Sequence, residues 1–229
     1  MARVLSKEQW KKRQRRKRNI MLFMIISLFV FIVVLSILFL KEIYQYEIGP
    51  TQNRTENLTQ VLLNGEEIEI EYLTPNPYSR PQTPLKRVKG IVVHYTANPQ
   101  TTAKNNRSYF EGLATKGTTY ASSHFIVGLE GEILQCIPLN EISYASNERN
   151  EDTISIECCH PDSTGEFNQD TYNSLVSLTA ALCKEFRLDT EDVIRHYDVT
   201  GKQCPLYYVD NEEAWISFKK DVANALKEL

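Results

Sequence analysis

One uninterrupted apolar segment constrains this chain more than any other feature. Residues 20–40 contain no charged residue, proline or glycine. At about 1.5 Å per residue, a helix of this length spans about 31 Å, which matches the roughly 30 Å hydrocarbon core of a bilayer. A segment in lipid has to satisfy its own backbone hydrogen bonds, so an α-helix is the expected structure. The sequence therefore predicts one transmembrane helix over Ile20–Leu40.

The charges on the two sides of this segment differ sharply. Residues 1–19 hold nine Lys and Arg against one acid, whereas residues 41–229 hold 17 bases and 28 acids. The positive-inside rule places the basic tail, residues 1–19, in the cytoplasm and the rest outside the cell membrane. An acidic main part argues against nonspecific nucleic-acid binding, which requires cations that neutralise phosphates. We therefore interpret the basic run as a topology signal that also suits anionic lipid, and expect no nucleic-acid partner.

A cleavable signal peptide is the alternative interpretation of the apolar segment. Signal peptides have apolar stretches of about 7–15 residues and small residues at the cleavage site. Here the stretch is longer, and residues 39–43 (FLKEI) include no small residue. We expect an uncleaved, single-pass anchor in the cell membrane, with a cytoplasmic N-terminus and an extracytoplasmic main domain.

Residues 41–85 are expected to form an extracytoplasmic stalk or arm. The stretch 49–59 is polar, and residues 74–84 contain four prolines, which exclude a regular helix or a central strand. This arm leads into the main domain, with packing on that domain as one option. Five cysteines are too few for a disulfide-built scaffold, so the domain needs a hydrophobic core of its own.

Residues 86–229 alternate between strand and helix patterns. Five apolar runs predict strands, at 88–95, 123–129, 132–137, 153–159 and 193–194, and Glu130-Gly131 predicts a hairpin turn between the second and third. Helical spacing predicts helices over 101–115, from the N-cap Asn168 to 187, and from the N-cap Asn211 to the end. The expected fold class is α/β, a mixed central sheet flanked by helices, in one domain over 86–229 that acts as a monomer.

Three side chains with metal-binding chemistry lie at or after strand ends. His94 ends the run GIVVH, His196 follows the short strand 193–194, and Cys204 lies eight residues later. Strand ends are where α/β folds place functional groups. Imidazole nitrogen and thiolate sulfur are zinc ligands, and three protein ligands leave a fourth position for water or substrate. The spacing alone leaves two interpretations open, a zinc site or two ordinary histidines and a buried thiol.

Glu157 and Lys202 are candidates for catalytic work beside such a site. Strand alternation puts Ile154 and Ile156 on one face and Glu157 on the other. In a cleft its carboxyl would have a raised pKa suited to a general base, whereas in solvent it would be an ordinary strand residue. Lys202, two residues before Cys204, would place a cation near a developing oxyanion or would be a surface charge.

Four strings favour the catalytic interpretation. GIVVHYTA (90–97), SSHFIVG (122–128), TISIE (153–157) and RHYDVTGKQCP (195–205) resemble, in the same order, the zinc-dependent N-acetylmuramoyl-L-alanine amidases of type 2. That superfamily includes phage endolysin amidases and peptidoglycan-recognition proteins, and the resemblance covers about residues 86–222. It implies a peptidoglycan hydrolase that cleaves the amide between N-acetylmuramic acid and the L-alanine of the stem peptide, with one Zn²⁺ per domain.

The resemblance also implies a role for each candidate. The metal ligands fall on His94, His196 and Cys204. The acid/base glutamate of the family falls on Glu157, and its lysine two residues before the last ligand falls on Lys202.

Two positions depart from the family pattern. Ser123 stands where some members have a catalytic tyrosine, so Glu157 is expected to carry the proton transfers. Tyr144 stands where many bacterial members have a cleft histidine, which affects substrate contacts and leaves the metal site unchanged. The expected substrate-binding residues are Tyr95, Asn98, His124 and Tyr144.

Two further functions stay open. A peptidoglycan-binding module without turnover is the main alternative, although that branch commonly lacks the cysteine ligand, and Cys204 is present. A cysteine peptidase with Cys158 or Cys204 as nucleophile would be inactivated by thiol alkylation and not by a chelator. Cys158 and Cys159 are adjacent in a predicted strand and point to opposite faces, so we do not expect them to bind one metal ion together.

Overall fold

The computed structural model describes residues 7–48 and 67–229, without the side chains of residues 8, 9 and 41–48. The chain forms two compact units, residues 1–49 and 50–229, and each is described by itself. The polar stretch 49–59 of the expected stalk lies outside the described residues.

The first unit is one long helix, α1 (Lys7–Ile48). It contains the whole predicted span, and the large apolar side chains from Ile20 to Leu40 are exposed. An 18-residue window within Trp10–Leu40 reaches a mean hydropathy of 3.2. The helix is therefore long and apolar enough to cross a bilayer, a property that it shares with an N-terminal signal sequence.

The second unit is built on a mixed sheet, as the sequence predicts, and the sheet has a sixth strand beyond the five predicted ones. Its strands lie in the order β1-β4-β3-β5-β2-β6, and every neighbouring pair is parallel except the antiparallel hairpin β3–β4. Gly131, in the hairpin turn, has φ +81°, a conformation that glycine adopts without strain. The strands are β1 (Ile68–Ile70), β2 (Gly90–Tyr95), β3 (Phe125–Val127), β4 (Ile133–Gln135), β5 (Thr153–Cys158) and β6 (Val193–Arg195).

Helices cover both faces of this sheet. The large core packs the longest helix of the unit and its C-terminal helix against the face that carries Ile91 and Ile154. A smaller core, which includes Phe110 and Leu134, packs the first helix of the unit against the opposite face. The helices are α2 (Ala103–Lys116), α3 (Gln169–Phe186), α4 (His196–Thr200), α5 (Leu206–Asp210) and α6 (Glu212–Glu228).

One of the two predicted N-caps is formed in the structure. Asn168 caps α3 as predicted, because its Oδ1 accepts a hydrogen bond from the Thr171 backbone at 2.9 Å. Asn211 precedes α6, but its side chain makes no capping bond, contrary to the prediction. Asn211 also ends α5, and its amide instead donates to the Tyr207 carbonyl oxygen at 3.1 Å.

The described part of the arm, residues 67–85, packs on the domain. Strand β1 forms the edge of the sheet, and Leu73 is fully buried in the smaller core. Arg80 donates two hydrogen bonds to the Glu141 carboxylate, both at 2.8 Å. The folded unit therefore extends N-terminal of residue 86, the boundary expected from the sequence.

Candidate functional site

Two adjacent strands and a loop bring the predicted metal ligands together. His94 lies near the carboxyl end of β2, and His196 begins α4 directly after β6, which pairs with β2. The loop after α4 returns Cys204 to the same place. The ligand atoms of these three buried residues all lie within 4.8 Å of one another.

His94 is oriented through both of its ring nitrogens. Its Nδ1 lies 3.7 Å from the Cys204 sulfur, and its Nε2 lies 3.1 Å from the Ser146 hydroxyl. Burial, followed by the nearby His196 and Lys202, holds the pKa of His94 well below its usual value. The ring is therefore neutral at physiological pH, the form that binds metal ions.

His196 has a buried lone pair without a partner. Its Nε2 lies 3.0 Å from the Asn147 Oδ1 atom, an acceptor, so Nε2 carries the proton. Its Nδ1 is buried and has no hydrogen-bond partner. An unsatisfied buried nitrogen costs about 1–3 kcal/mol, and a bound cation would satisfy it. Histidines that bind a metal through one ring nitrogen usually donate a hydrogen bond through the other, as His196 does here through Nε2.

Cys204 completes a donor set that suits zinc. Burial, and then the nearby Glu157 carboxyl, raises the pKa of its thiol to about 12. Such a thiol stays protonated unless a cation stabilises the thiolate, and a metal ion does so outright. Two neutral imidazoles and one thiolate form a set that zinc prefers, with one position left for water or substrate. The residues present therefore fit a zinc ion.

Glu157 lies beside this cluster on the neighbouring strand. In the parallel register of β2 and β5 it is directly opposite His94, while Ile154 and Ile156 face the large core as predicted. Its Oε2 atom is buried without a hydrogen-bond partner. Desolvation raises the pKa of its carboxyl to about 8, and the charge of Lys202 opposes that shift. A carboxyl with these surroundings suits proton transfer near neutral pH.

Lys202 brings a positive charge to the cluster from an exposed loop. Its charge lowers the pKa values of His94, His196 and Glu157, which places it within electrostatic reach of all three. A cation in this position stabilises negative charge that develops during a reaction.

A loop that sequence reasoning missed orients both histidines. Ser146 contacts His94, and the next residue, Asn147, contacts His196. The backbone amides of Ala145 and Ser146 donate to the Asn150 side chain at 3.1 and 2.6 Å, which fixes the loop. The contacts join residues 52 and 49 positions apart, so only the fold reveals them.

His124 is held inside the domain by hydrogen bonds through both of its ring nitrogens. It is fully buried; its Nε2 donates to the Glu141 carbonyl oxygen at 2.9 Å, and its Nδ1 accepts from the Ser155 backbone at 3.0 Å. Burial lowers the pKa of the ring to about 4. Both ring nitrogens therefore have partners within the domain, and the substrate contact expected of His124 stays a prediction.

The other three expected substrate contacts lie around the cluster. Tyr95 follows His94 and packs on the His160 ring, with 5.1 Å between centroids. Asn98 is exposed after the end of β2. Tyr144 is half-buried in the loop that orients the histidines. Whether they bind substrate stays a prediction.

The adjacent cysteines of β5 face opposite sides of the sheet, as predicted. Cys158 belongs to the large core and Cys159 to the smaller one. All five cysteines are buried and free, and burial raises the pKa of the Cys158 thiol well above its usual value. Neither residue resembles an activated nucleophile, which needs a lowered thiol pKa.

A family model described as N-acetylmuramoyl-L-alanine amidase matches residues 84–206, a range that contains the whole cluster. The chain belongs to this amidase family. The match begins just before β2 and ends just after Cys204, so every proposed ligand lies inside it.

Several known amidases are similar to this family member. The amidase CwlL of Bacillus licheniformis is 36% identical over 168 residues, which cover 68% of this chain and 46% of that protein. BlyA of Bacillus subtilis (strain 168) is 35% identical over 172 residues, with coverages of 66% and 45%. The solved catalytic domain of XlyA superposes with a TM-score of 0.58 at 27% identity, covering 68% of this chain and 99% of that one. The chain spans a little under half the length of the two curated relatives.

Proposed function

We propose that this chain is a membrane-anchored N-acetylmuramoyl-L-alanine amidase. It hydrolyses the amide between the lactyl group of N-acetylmuramic acid and the L-alanine of the stem peptide. One observation carries the proposal, the convergence of His94, His196 and Cys204 within 4.8 Å beside the buried carboxyl of Glu157. The amidase family membership names the substrate class.

In this proposal His94, His196 and Cys204 hold a zinc ion. When bound, Zn²⁺ polarises the scissile carbonyl and lowers the pKa of a water molecule at the site. Ser146 and Asn147 keep the two imidazole rings in the required orientation, and burial keeps both rings neutral.

Glu157 and Lys202 perform the remaining steps. The Glu157 carboxylate accepts a proton from the attacking water as the oxygen bonds to the lactyl carbonyl carbon. Lys202 stabilises the negative charge that develops on the carbonyl oxygen. Glu157 then delivers its proton to the alanine nitrogen as the carbon–nitrogen bond breaks. The products are a free lactyl carboxylate and a stem peptide with a free amino group.

The N-terminal unit supports the membrane location in this proposal. Helix α1 is long and apolar enough to anchor the chain, and the basic residues at 1–19 favour a cytoplasmic N-terminus. The domain then faces the cell wall outside the membrane, and the residues that link it to the anchor limit how far into the wall it can reach. This arrangement suits remodelling of wall close to the membrane.

Digestion of purified peptidoglycan by the full chain in detergent tests the proposal. We expect stem peptides that begin with a free L-alanine amino group, one zinc per chain, and loss of activity with a strong chelator that added zinc restores. Cleavage at another bond, or inhibition by thiol alkylation alone, would refute it. Zinc-loaded protein that binds peptidoglycan without releasing peptides would identify a recognition module instead.

A further inference from the structure

Three tyrosines from separate segments form an aromatic surface, here called the tyrosine wall. Tyr78 comes from the arm, Tyr120 from the loop between α2 and β3, and Tyr144 from the loop that orients the histidines. The ring centroids of Tyr78 and Tyr120 lie 5.4 Å apart, as do those of Tyr120 and Tyr144. Tyr120 is 61% exposed, the most exposed aromatic residue described between 67 and 229.

Backbone hydrogen bonds hold the three segments side by side. The Ala121 amide donates to the Tyr78 carbonyl oxygen and the Ser122 amide to that of Tyr144, both at 3.1 Å. The Ser122 hydroxyl in turn accepts from the Tyr144 amide at 2.9 Å. The rings are therefore neighbours because the backbone that directly follows Tyr120 is bonded to both of the other segments, and the wall is a built feature of the fold.

A glycine makes room for the first ring. Gly117 ends α2 with φ +59°, and a Cβ atom there would lie 3.0 Å from the Tyr78 ring. Any other residue would crowd the Tyr78 ring and would itself be strained at this positive φ. The C-terminal cap of α2 thus also sets the position of the wall.

The wall begins next to the proposed catalytic centre. Tyr144 is two residues before Ser146, whose hydroxyl lies 3.1 Å from the His94 ring. Two residues span at most about 7 Å, so the wall leads away from the metal cluster along one side of the site. A substrate that extends beyond the cleaved bond in that direction would meet these rings.

We propose that the tyrosine wall binds the glycan strand of peptidoglycan, with Tyr120 stacked on the sugar that neighbours the cleaved N-acetylmuramic acid. The inference rests on the proposed amidase function. It assigns a sugar-binding role to two residues, Tyr78 and Tyr120, that lie outside the predicted set of substrate contacts.

The chemistry of the wall favours sugar over stem peptide. A pyranose ring has an apolar C–H face and a rim of hydroxyl and amide groups, which match the apolar face and polar tip of tyrosine. Stem peptides carry carboxylates and amino groups, which need charged partners. Arg80, next to the wall, already has its charge balanced by the bidentate Glu141 carboxylate.

Kinetics of the full chain in detergent on two substrates test the inference. One substrate is a long glycan strand with stem peptides, and the other is a single N-acetylmuramoyl-L-alanyl peptide without a neighbouring sugar. Tyr120→Ala should raise KM for the strand roughly fivefold to tenfold, with kcat unchanged. Its cleavage of the short substrate should equal that of the wild type. Tyr120→Phe should resemble the wild type on both.

Tyr109→Ala is the matched control, because Tyr109 is also exposed, at 50%, but packs on Phe110 in α2. This substitution should leave KM and kcat unchanged on both substrates. The inference would be overturned if Tyr120→Ala reduced the cleavage of both substrates equally, or if it left the KM for the glycan strand unchanged.

A binding measurement separates this inference from the proposed function. Peptide-free glycan strands should bind the wild type and Tyr109→Ala, and bind Tyr120→Ala several-fold more weakly. If the wild type cleaves neither substrate but shows this binding pattern, the amidase proposal fails and the wall stands. If the wild type cleaves both substrates but the peptide-free strands bind all three proteins equally, only the sugar-binding role of the tyrosine wall is refuted, and the amidase proposal is unaffected.

Discussion

Glu157 is opposite His94 across two parallel strands, and this register makes its carboxyl a neighbour of the metal cluster without making it a ligand. Glu157→Gln keeps the size of the side chain and removes its capacity to accept a proton. We expect kcat to fall by roughly 10²–10⁴-fold, the usual contribution of a general base, with zinc content unchanged. Peptide release and metal analysis on one preparation measure both quantities. Wild-type turnover in this variant would remove Glu157 from the mechanism.

His124 makes the stability of the domain sensitive to acid. Its pKa is lowered from 6.5 to about 4 by burial, so between these values the unfolded chain binds more protons than the folded one. Stability is therefore fully present above pH 6.5 and is lost as the pH falls towards 4. The loss due to this residue should reach about 3 kcal/mol at pH 4.

Two measurements check this. Urea unfolding followed through the buried Trp215 should show the acid-side loss, and a His124→Gln variant should show a smaller pH slope than the wild type. The NMR signal of the His124 ring should stay that of the neutral form at pH 5. A ring that titrates near 6.5 would contradict the assignment.

The role of a residue could be predicted where its chemical type is decisive, whereas its contacts with distant residues could not. The types His94, His196 and Cys204 pointed to a metal site, and the structure brings them together. The hydrogen-bond network around His124 could not be predicted, because a histidine beside a predicted strand fits a cleft and a buried network equally well. Only the positions of Ser155 and the Glu141 carbonyl decide between them.

At the scale of elements, the loop over residues 144–150 connects the metal site with the tyrosine wall. Asn147 adopts φ +53°, a left-handed conformation that asparagine tolerates better than most residues, and this presents its side chain to His196. Asn147→Ala removes the contact that holds the ring. We expect the zinc dissociation constant to rise about 10–100-fold. Competition with a chromogenic chelator measures it.

Glu151→Ala is the control for that substitution, because Asn147 and Glu151 lie in one 3₁₀ helix (Asn147–Glu151) and Glu151 is exposed. It should keep wild-type zinc affinity. Asn147→Asp, which keeps an acceptor oxygen, should restore most of the affinity. Unchanged affinity in Asn147→Ala would show that the loop has no role in holding the metal ligands.

The arm supplies the other element-scale prediction. Leu73 is fully buried in the smaller core, whereas Ile70 in the adjoining strand is 51% exposed. Leu73→Ala should lower the free energy of unfolding of the domain by about 2–5 kcal/mol through the cavity it creates. Ile70→Ala should lower it by less than about 1 kcal/mol. Equal, small effects would mean that the arm is dispensable for folding.

The elements with long apolar runs or clear caps were predictable, and the edge of the sheet was harder to place. Helix α3, its Asn168 cap and the hairpin around Gly131 followed from local patterns. Strand β1 has only three residues, and its partner β4 lies about 65 positions later. Residues 67–72 (EIEIEY) alternate in polarity as a short strand does, but no local signal gives the partner of such a strand.

At the scale of the whole molecule, the sequence alone separates the chain into a basic end, an apolar helix and an acidic domain. The asymmetry of nine bases against one acid before residue 20 is a topology signal independent of the fold of the domain. The proposed wall amidase needs this orientation, because its proposed substrate lies outside the membrane. The domain fold and the charge pattern thus support the same location on separate physical grounds.

Protease protection of intact protoplasts tests that orientation. We expect added protease to digest residues 67–229 and to leave a tag fused before Met1 intact, while the chain stays in the membrane fraction at high salt and high pH. Replacing the bases between residues 11 and 18 by glutamine should produce a mixed population in which part of the domain is protected. The same number of Lys-to-Gln or Arg-to-Gln changes within residues 86–229 should leave the orientation as it is, because long domains cross the membrane largely regardless of charge. A mature protein that starts after residue 40 and has lost the tag would instead establish α1 as a signal sequence. That result would refute the proposed membrane anchor and leave the proposed amidase site unaffected.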